Sequence, residues 1–220
     1  KNIRLLLGKP LIVWTIEQAQ EISEIDRLIV STDSPSIAEI AINAGAEVPF
    51  MRPGCLSSPQ VGKFQVWQHA LKTCSDTYKE KYEILVDLDC TNPLRESSDI
   101  LKAINTFHSV NSSGVDAVFS VCSARKNPYF NLVEPDKDGA LRMSKSTPSR
   151  VLRRQDAPSV FEHVASIYVL AAEYVKNANH LLDGHTVGFD IGVEKSFDID
   201  SEFDFQLIEH LMSKRNRSGK

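Results

Sequence analysis

Short strand-like segments alternate with helical ones along most of this chain. Arg27–Ser31, Glu83–Asp89 and Val115–Cys122 are runs of mostly apolar residues, which is typical of buried strands. Helical stripes lie between them, and a clear one begins at Ser34-Pro35, a capping residue followed by proline. The alternation predicts an α/β fold in three layers, with a mainly parallel sheet between helices. Ligands of such sheets bind at the carboxyl ends of the strands.

The alternation breaks after Cys122 and resumes at Val164. Between them, Asp136-Lys137-Asp138-Gly139 is a turn signal between two short strand-like runs, and Lys145–Pro158 is polar and irregular. An insertion of this kind is typically a lid or an oligomerisation arm. We therefore predict an α/β core formed by residues 1–122 and 164–220, with an inserted arm at residues 123–163.

Composition excludes several classes of function. The 220 residues carry a formal net charge of −4, which argues against a nucleic-acid partner because such proteins show a basic face. No apolar run approaches the length that spans a membrane, so we expect no membrane partner. The four cysteines lie far apart without a C-x-x-C pair, which favours reduced thiols in a cytoplasmic protein over a zinc or disulfide framework.

Two carboxylates stand two residues apart near the C-terminus. Asp198 and Asp200 precede a helix-start signal, and in an extended strand residues i and i+2 project to one face. Mg²⁺ that carries substrate phosphates usually takes one or two protein carboxylates, so this doublet is a candidate Mg²⁺ site. A solvated edge or a helix cap explains most Asp-x-Asp pairs, and both interpretations stay open at this point.

A second polar cluster follows the strand that ends near Asp89. Thr91, Asn92 and Arg95 surround Pro93 and offer a hydroxyl, an amide and a guanidinium to one ligand edge. An ordinary loop with a capping threonine explains the same residues equally well.

These segments resemble, in order, those of the sialic acid (N-acylneuraminate) cytidylyltransferases. Thr91-Asn92-Pro93-Leu94-Arg95 is similar to their T-S-P-L-R segment, and Asp198-Ile199-Asp200 to their D-I-D metal motif. Further matches are Ser31-Thr32-Asp33, Arg52-Pro53, Arg154-Gln155 with Pro158, and Ile167-Tyr168. The form D-L-D-x-T-N-P-L-R is most similar to the branch that activates legionaminic-acid-type sugars.

The resemblance implies a Rossmann-like nucleotidyltransferase that transfers CMP from CTP to a nine-carbon 2-keto acid sugar. The anomeric hydroxyl attacks the α-phosphorus and pyrophosphate leaves, a reaction dominated by positioning and charge neutralisation. It further implies that Asp198 and Asp200 hold Mg²⁺, and that the inserted arm reaches into the site of a second subunit, as a homodimer requires.

The resemblance also implies roles for individual residues. Arg154 is expected to meet the sugar carboxylate and to belong with Asp198 and Asp200 in the catalytic set. The residues expected to contact the nucleotide are Lys1, Asn2, Arg52, Asp89 and Thr91. Those expected to contact the sugar are Asp89, Asn92, Gln155 and Tyr168. For Arg95, a structural role behind the turn and a ligand contact are equally compatible with the sequence.

Two departures from the family pattern keep other functions open. Of the family signature A-R-x-G-S-K-G-x-P-x-K-N, only the last two residues are present here, as Lys1-Asn2. In the family, the preceding residues of the signature supply a central strand and the backbone N–H groups that bind the triphosphate. We therefore expect residues 1–220 alone to bind CTP weakly. Glu162 and Val164 stand where the family often has Arg and Asn near the sugar. The alternatives are a metal-dependent glycosyltransferase, or a nucleotide-sugar-binding relative with impaired catalysis.

Overall fold

A computed structural model describes residues 1–149 and 151–218 of the chain. The six helices are α1 (Leu11–Gln20), α2 (Pro35–Asn43), α3 (Lys63–Tyr78), α4 (Ser97–Asn111), α5 (Ala172–Asn177) and α6 (Glu202–Ser218) in the described part. The strands there are β1 (Leu5–Leu6), β2 (Lys9–Pro10), β3 (Ile84–Leu88), β4 (Ala117–Ser123), β5 (Val133–Pro135), β6 (Leu141–Met143), β7 (Phe161–Ala171) and β8 (Thr186–Asp190). Short 3₁₀ turns cover Gly54–Leu56, Arg154–Asp156 and Val193–Lys195.

The central sheet has the order β3-β7-β4-β8 and is mixed. β7 runs antiparallel to both of its neighbours, β3 and β4, and β4 pairs in parallel with β8. The α/β class is confirmed, but the sheet is not mainly parallel in the described residues. The reason is β7: the chain reaches it after the inserted arm, which returns it to the sheet in the opposite direction.

Helices cover both faces of this sheet because β7 alternates its side chains between two apolar layers. Ile167 and Val169 pack with α4 residues such as Ile104 on one face. Tyr168 and Leu170 pack on the other face with residues of α3 and α5. The result is the three-layer arrangement that the sequence predicts.

The expected strand at Arg27–Ser31 is reduced to a single bridge. Ile29 pairs in parallel with Glu47, and two backbone hydrogen bonds of 2.8 and 2.9 Å join the two segments. A cavity of about 620 Å³ lies between Leu28–Thr32 and β3. The backbone N–H and C=O groups of a strand need hydrogen-bond partners on neighbouring strands. Across this cavity, the described residues provide no such strand.

The inserted segment forms a small hairpin of its own. β5 and β6 pair antiparallel, and the turn between them is closed by the Asp136 carboxylate, which accepts from the backbone N–H of Asp138 and Ala140. The strand expected over Asn127–Glu134 begins only at Val133, because the side chains of Asn127 and Asn131 bond backbone N–H groups and hold a turn there.

The last helix begins as its capping residues predict. The Ser201 backbone N–H donates to Asp204 Oδ2 at 2.7 Å, and the Asp204 N–H donates to Ser201 Oγ at 3.2 Å. α4 begins at Ser97, and the residue before it, Glu96, forms a capping box with Asp99. No helix in the described part of the chain is long and apolar enough to cross a membrane.

Candidate active site

The segment that carries Asp198 and Asp200 belongs to no helix or strand, and one backbone contact fixes it. The N–H of Ile199 donates to the carbonyl of Thr91 at 2.9 Å, and the Ile199 side chain is buried. Asp198 is half-buried and Asp200 is exposed, so the doublet lies at the surface beside the Thr91 turn.

Asn92 holds this loop from inside the protein. Its amide nitrogen lies 2.9 Å from the carbonyl oxygen of Lys195, 3.2 Å from that of Phe197, and 3.3 Å from Asp198 Oδ1. Its amide oxygen accepts from Ser166 Oγ at 3.1 Å, and the residue is fully buried. The expectation that Asn92 contacts the sugar is therefore wrong in this structure: the protein uses both ends of its amide, and Asn92 positions Asp198 instead.

A nearby cation would stabilise the ionised form of the Asp198 carboxylate. Burial raises its pKa to about 6, the Asn92 hydrogen bond opposes this, and the negative charges of Asp89 and Asp200 raise it further. Asp200 makes an ion pair of 3.2 Å with Lys1. Hard carboxylate oxygens of this kind fit Mg²⁺. The described residues contain no group of three or more His, Cys, Asp or Glu side chains able to hold a metal.

A second charged group lies at the end of β3. Lys63 Nζ is 2.7 Å from Asp87 Oδ2 and 2.7 Å from Asp89 Oδ2. Burial lowers the Lys63 pKa, but attraction by Asp87 and Asp89 outweighs burial and raises the pKa overall. Burial likewise raises the pKa of Asp89, and Lys63 opposes that rise. Asp89, expected to face nucleotide or sugar, is about a quarter exposed beside this lysine.

Of the two roles that the sequence leaves open for Arg95, the structure supports the structural role behind the turn and not a contact with ligand. The side chain is buried, with Nη1 2.6 Å from the carbonyl of Asp89 and 3.1 Å from that of Ser166, and Nη2 2.6 Å from Thr15 Oγ1. Burial lowers its pKa to about 10. Arg95 thus joins α1, the end of β3 and β7 beneath the turn that bears Thr91. Thr91 itself is half-buried and offers its carbonyl to the Asp198 loop.

The expected nucleotide contacts Asn2, Arg52 and Asp89 all line the cavity beside β3. Arg52 donates its backbone N–H to Thr32 at 2.8 Å, and its side-chain Nε is buried without a hydrogen-bond partner. Thr91, Asp198 and Asp200 are not among the residues that line this cavity.

Three other expected site residues lie elsewhere. Tyr168 is 2% exposed, and its ring packs on Trp67 and His163, so it supports the site from within and does not present a surface to the sugar. Arg154 and Gln155 are exposed on the 3₁₀ turn of the arm, where Arg154 Nη2 donates to the Arg125 carbonyl at 3.0 Å. The structure shows no contact between these two arm residues and Asp198 or Asp200 among the residues it describes.

Lys63 and Lys195 are not among the site residues expected from the sequence, and Asp87 is expected only as part of the Asp-x-Asp metal pair of the alternative glycosyltransferase. The period of two along β3 places Asp87 on the same face as Asp89, which was a usable signal. Lys195 Nζ is 2.7 Å from Asp99 Oδ2 and 2.9 Å from Glu96 Oε2, which anchors the Asp198 loop to the first turn of α4. That contact spans nearly a hundred residues, and no local pattern in the sequence reports it.

The α/β core and the carboxylate doublet beside the Thr91 turn, at the end of β3, are typical of a nucleotidyltransferase-type site. Two solved structures have the same fold. The structure of CMP:2-keto-3-deoxy-manno-octonic acid synthetase complexed with CTP has a TM-score of 0.70 at 15% identity, over 98% of this chain and 92% of that one. The 4-diphosphocytidyl-2C-methyl-D-erythritol synthase from Anaerococcus prevotii has a TM-score of 0.65 at 12% identity, over 96% and 93%.

Sequence relatives give the family. The cytidylyltransferase family model matches residues 1–216. The CMP-N,N'-diacetyllegionaminic acid synthase of Campylobacter jejuni is 38% identical, and the post-translational flagellin modification protein B of Campylobacter coli is 35% identical, each over all of this chain and 91% of the relative. The N-acylneuraminate cytidylyltransferase of Escherichia coli is 28% identical over 99% of this chain and 49% of its own length.

The chain belongs to the cytidylyltransferase family. It is therefore a nucleotidyltransferase enzyme, and the resemblance inferred from its motifs is confirmed at the level of the family.

Proposed function

We propose that this protein transfers CMP from CTP to the anomeric hydroxyl of a nonulosonic acid. A bond forms between the anomeric oxygen and the α-phosphorus, the bond from that phosphorus to the bridging oxygen breaks, and pyrophosphate leaves. The hydroxyl proton is released in the same reaction. The observation that carries the proposal is the loop in which Ile199 is bonded to the Thr91 carbonyl, with Asp198 and Asp200 on either side of it.

Asp198 and Asp200 are the residues we propose to hold Mg²⁺, which when bound neutralises the phosphates and helps acidify the attacking hydroxyl. Asn92 keeps one oxygen of Asp198 fixed, so the carboxylate needs little reorganisation during the reaction. Arg52 and Asn2, at the cavity, are proposed to face the nucleotide. Lys1, paired with Asp200, lies where it can meet a phosphate of the same nucleotide.

The relatives support a sialic-acid-like sugar as acceptor. Two of them are named for N,N'-diacetyllegionaminic acid and several for N-acylneuraminate. We propose a legionaminic-type acid first, with pseudaminic and N-acetylneuraminic acids as the other members of the panel. The expected cellular compartment is the cytoplasm.

We further propose a homodimer in which the arm of one subunit completes the site of the other. The arm exposes several apolar side chains: Leu132, Val133, Leu141, Met143 and Leu152 are 42–76% exposed. Exposed apolar surface of this kind marks an interface. The same arm carries Arg154 and Gln155, so association would bring a guanidinium suited to a sugar carboxylate to a second active site.

The structure favours the cytidylyltransferase over a glycosyltransferase that uses Asp87 and Asp89 as its metal pair. Both carboxylates are paired with Lys63 at 2.7 Å. In the other doublet only Asp200 is paired, with Lys1 at the longer distance of 3.2 Å, and no ion pair is described for Asp198. A metal at β3 would have to displace the lysine.

The test is pyrophosphate release by the full natural chain, with CTP, Mg²⁺ and each of the three sugars in turn. We expect turnover with at least one sugar, strict dependence on CTP, and a loss of at least a hundredfold in kcat/KM for Asp198→Asn and Asp200→Asn. Thermal melting checks that both variants fold. Absence of turnover with every sugar, together with tight binding of a CMP-sugar by calorimetry, would instead identify a relative that binds the product without making it.

A further inference from the structure

Lys63 lies where two strand carboxylates converge on the proposed nucleotide cavity. Its Nζ atom is 2.7 Å from one oxygen of Asp87 and 2.7 Å from one of Asp89, and 4.6 Å from the centre of the Tyr168 ring. Lys63, Asp87 and Asp89 all line the cavity. The lysine therefore faces both the acidic strand end and the space that a nucleotide would enter.

The local sequence opposes this placement of a lysine. Lys63 is the first residue of α3, a 16-residue helix whose first turn contains no acidic residue and whose start has no side-chain cap. The positive end of a helix dipole disfavours a cation there. A residue that breaks a local rule while making close tertiary contacts is typical of a functional position. The ion pairs with Asp87 and Asp89 compensate for the unfavourable position of Lys63 at the start of the helix.

The two carboxylates need a cation because of the strand geometry. Asp87 and Asp89 are separated by one residue of β3 and its continuation, so both project toward the face occupied by α3 and Tyr168. Without Lys63, two like charges would share a partly buried edge of the cavity, and a triphosphate would have to approach them. Electrostatic repulsion is strongest in such a water-poor position.

We propose that Lys63 is a positioning residue that holds Asp87 and Asp89 together and offsets one of their two negative charges, so that the anionic nucleotide can enter beside Asp89. This inference rests on the proposed function. Lys63 acts through the two carboxylates and not by touching the nucleotide. A direct contact between the ammonium and a phosphate is the competing interpretation, and the two differ in what a second substitution does.

Charge restoration separates the two interpretations. Lys63→Met keeps the length of the side chain and removes the cation, and Lys63→Met with Asp87→Asn removes one carboxylate as well. Under our proposal the double variant recovers nucleotide binding, because the cluster again carries one net negative charge, as in wild type, instead of the two that remain in Lys63→Met. Under direct contact it does not, because the ammonium that held the phosphate is still missing.

The experiment measures KM for CTP and kcat in the full natural chain, at low salt. Four variants accompany wild type: Lys63→Met, Lys63→Arg, Asp87→Asn, and the double variant. Lys72→Met is the matched control, since Lys72 lies on the same helix in an exposed ion pair with Asp76. We expect Lys63→Met to raise KM about tenfold with kcat within twofold, the double variant to return within threefold of wild type, and Lys63→Arg to lie between.

Three results would overturn the inference: an unchanged KM in Lys63→Met, a fall in kcat alone, or a double variant that stays at the level of Lys63→Met. Circular dichroism shows whether α3 is intact, and Lys63→Arg retains the test if Lys63→Met does not fold. Calorimetry with CTP repeats the comparison without a sugar. A wild type that binds CTP but releases no pyrophosphate contradicts the proposed function. In that case, a tenfold loss of CTP binding in Lys63→Met that the double variant restores still supports the positioning role of Lys63.

Discussion

The identity of a few buried polar side chains decides what the surface carboxylates can do. Asn92 and Arg95 belong to one short turn, and neither reaches solvent. Arg95 holds the backbone under the turn, and Asn92 holds the loop that bears Asp198. Arg95 uses both terminal nitrogens in these hydrogen bonds, and its Nε has no partner. Buried side chains that make several hydrogen bonds restrict the backbone around them, so the turn acts as a fixed platform for the exposed doublet.

The raised pKa of Asp198 gives a prediction about stability and pH. An aspartate in an unfolded chain titrates near ~3.9, whereas folding raises the pKa of Asp198 to about 6. Between these values the folded protein holds a proton that the unfolded chain has lost, so the contribution of this group to stability falls as pH rises from about 4 to about 6. Above about pH 6 the ionised group carries its full desolvation cost.

We therefore expect Asp198→Asn to be more stable than wild type above pH 6 in the presence of a chelator, by about 1 kcal/mol, since water screens the half-exposed group. The gain should shrink toward zero near pH 4. Melting temperatures across this pH range measure it, and Asp200→Asn, at a fully exposed position, is the control. A constant difference at all pH values would show that Asp198 does not titrate as described.

At the scale of elements, the candidate site depends on how a loop is fastened to a helix. The 3₁₀ turn Val193–Lys195 brings Lys195 against Asp99 and Glu96 at the start of α4, and the loop continues directly to Asp198. Lys195 is 13% exposed and Asp99 is 6% exposed, so water screens this pair little.

Lys195→Met should destabilise the fold and loosen the metal loop together. Removing one partner of a buried pair leaves the other charge uncompensated, and we expect a loss of about 3 kcal/mol in urea unfolding. We also expect a several-fold rise in the Mg²⁺ concentration needed for half-maximal activity. Lys72→Met, which breaks an exposed pair, should change stability by less than ~0.5 kcal/mol. The double variant Lys195→Met with Asp99→Asn removes both charges of the pair. If it restores stability but leaves the Mg²⁺ requirement changed, the loop is held by other contacts.

For the whole molecule, the principal question is association through the inserted arm. Its hairpin packs mainly on itself and leaves Leu141 68% and Leu152 76% exposed. A monomer would leave this apolar surface in water, whereas a dimer would cover it. If the arm of one subunit completes the active site of the other, a substitution that prevents association also lowers catalytic activity.

Leu141→Glu with Leu152→Glu should convert a dimer to a monomer in light-scattering measurements and lower kcat/KM at least tenfold, since charges are depleted from interface cores. Ile42→Glu changes an apolar residue of similar exposure, 56%, on α2 outside the arm, and should do neither. Mixing Arg154→Ala with Asp198→Asn subunits tests sharing directly, because a mixed dimer would contain one intact site. A monomeric wild type that is fully active would contradict the proposal.

Local patterns were sufficient for most elements and for one part of the site. Periodicity and capping residues predicted α1, α2 and α6, and apolar runs predicted β3, β4 and β7. They also singled out Asp198 and Asp200, because acidic residues two apart are visible in the sequence itself. β8 and α5 were not predicted, since Gly188 interrupts the apolar pattern of β8 and α5 has only six residues.

By itself, the sequence determined the α/β class, the positions of most helices and of β3, β4 and β7, and which carboxylates stand as a doublet. Only the tertiary structure decided that β7 runs antiparallel, that Asn92 and Tyr168 point inward, and that Lys63 reaches Asp87 and Asp89. Hydrophobic periodicity depends on neighbours three or four residues away, and so it can be read along the chain. Strand direction and ion pairing depend on residues many positions apart, which meet only when the chain is folded.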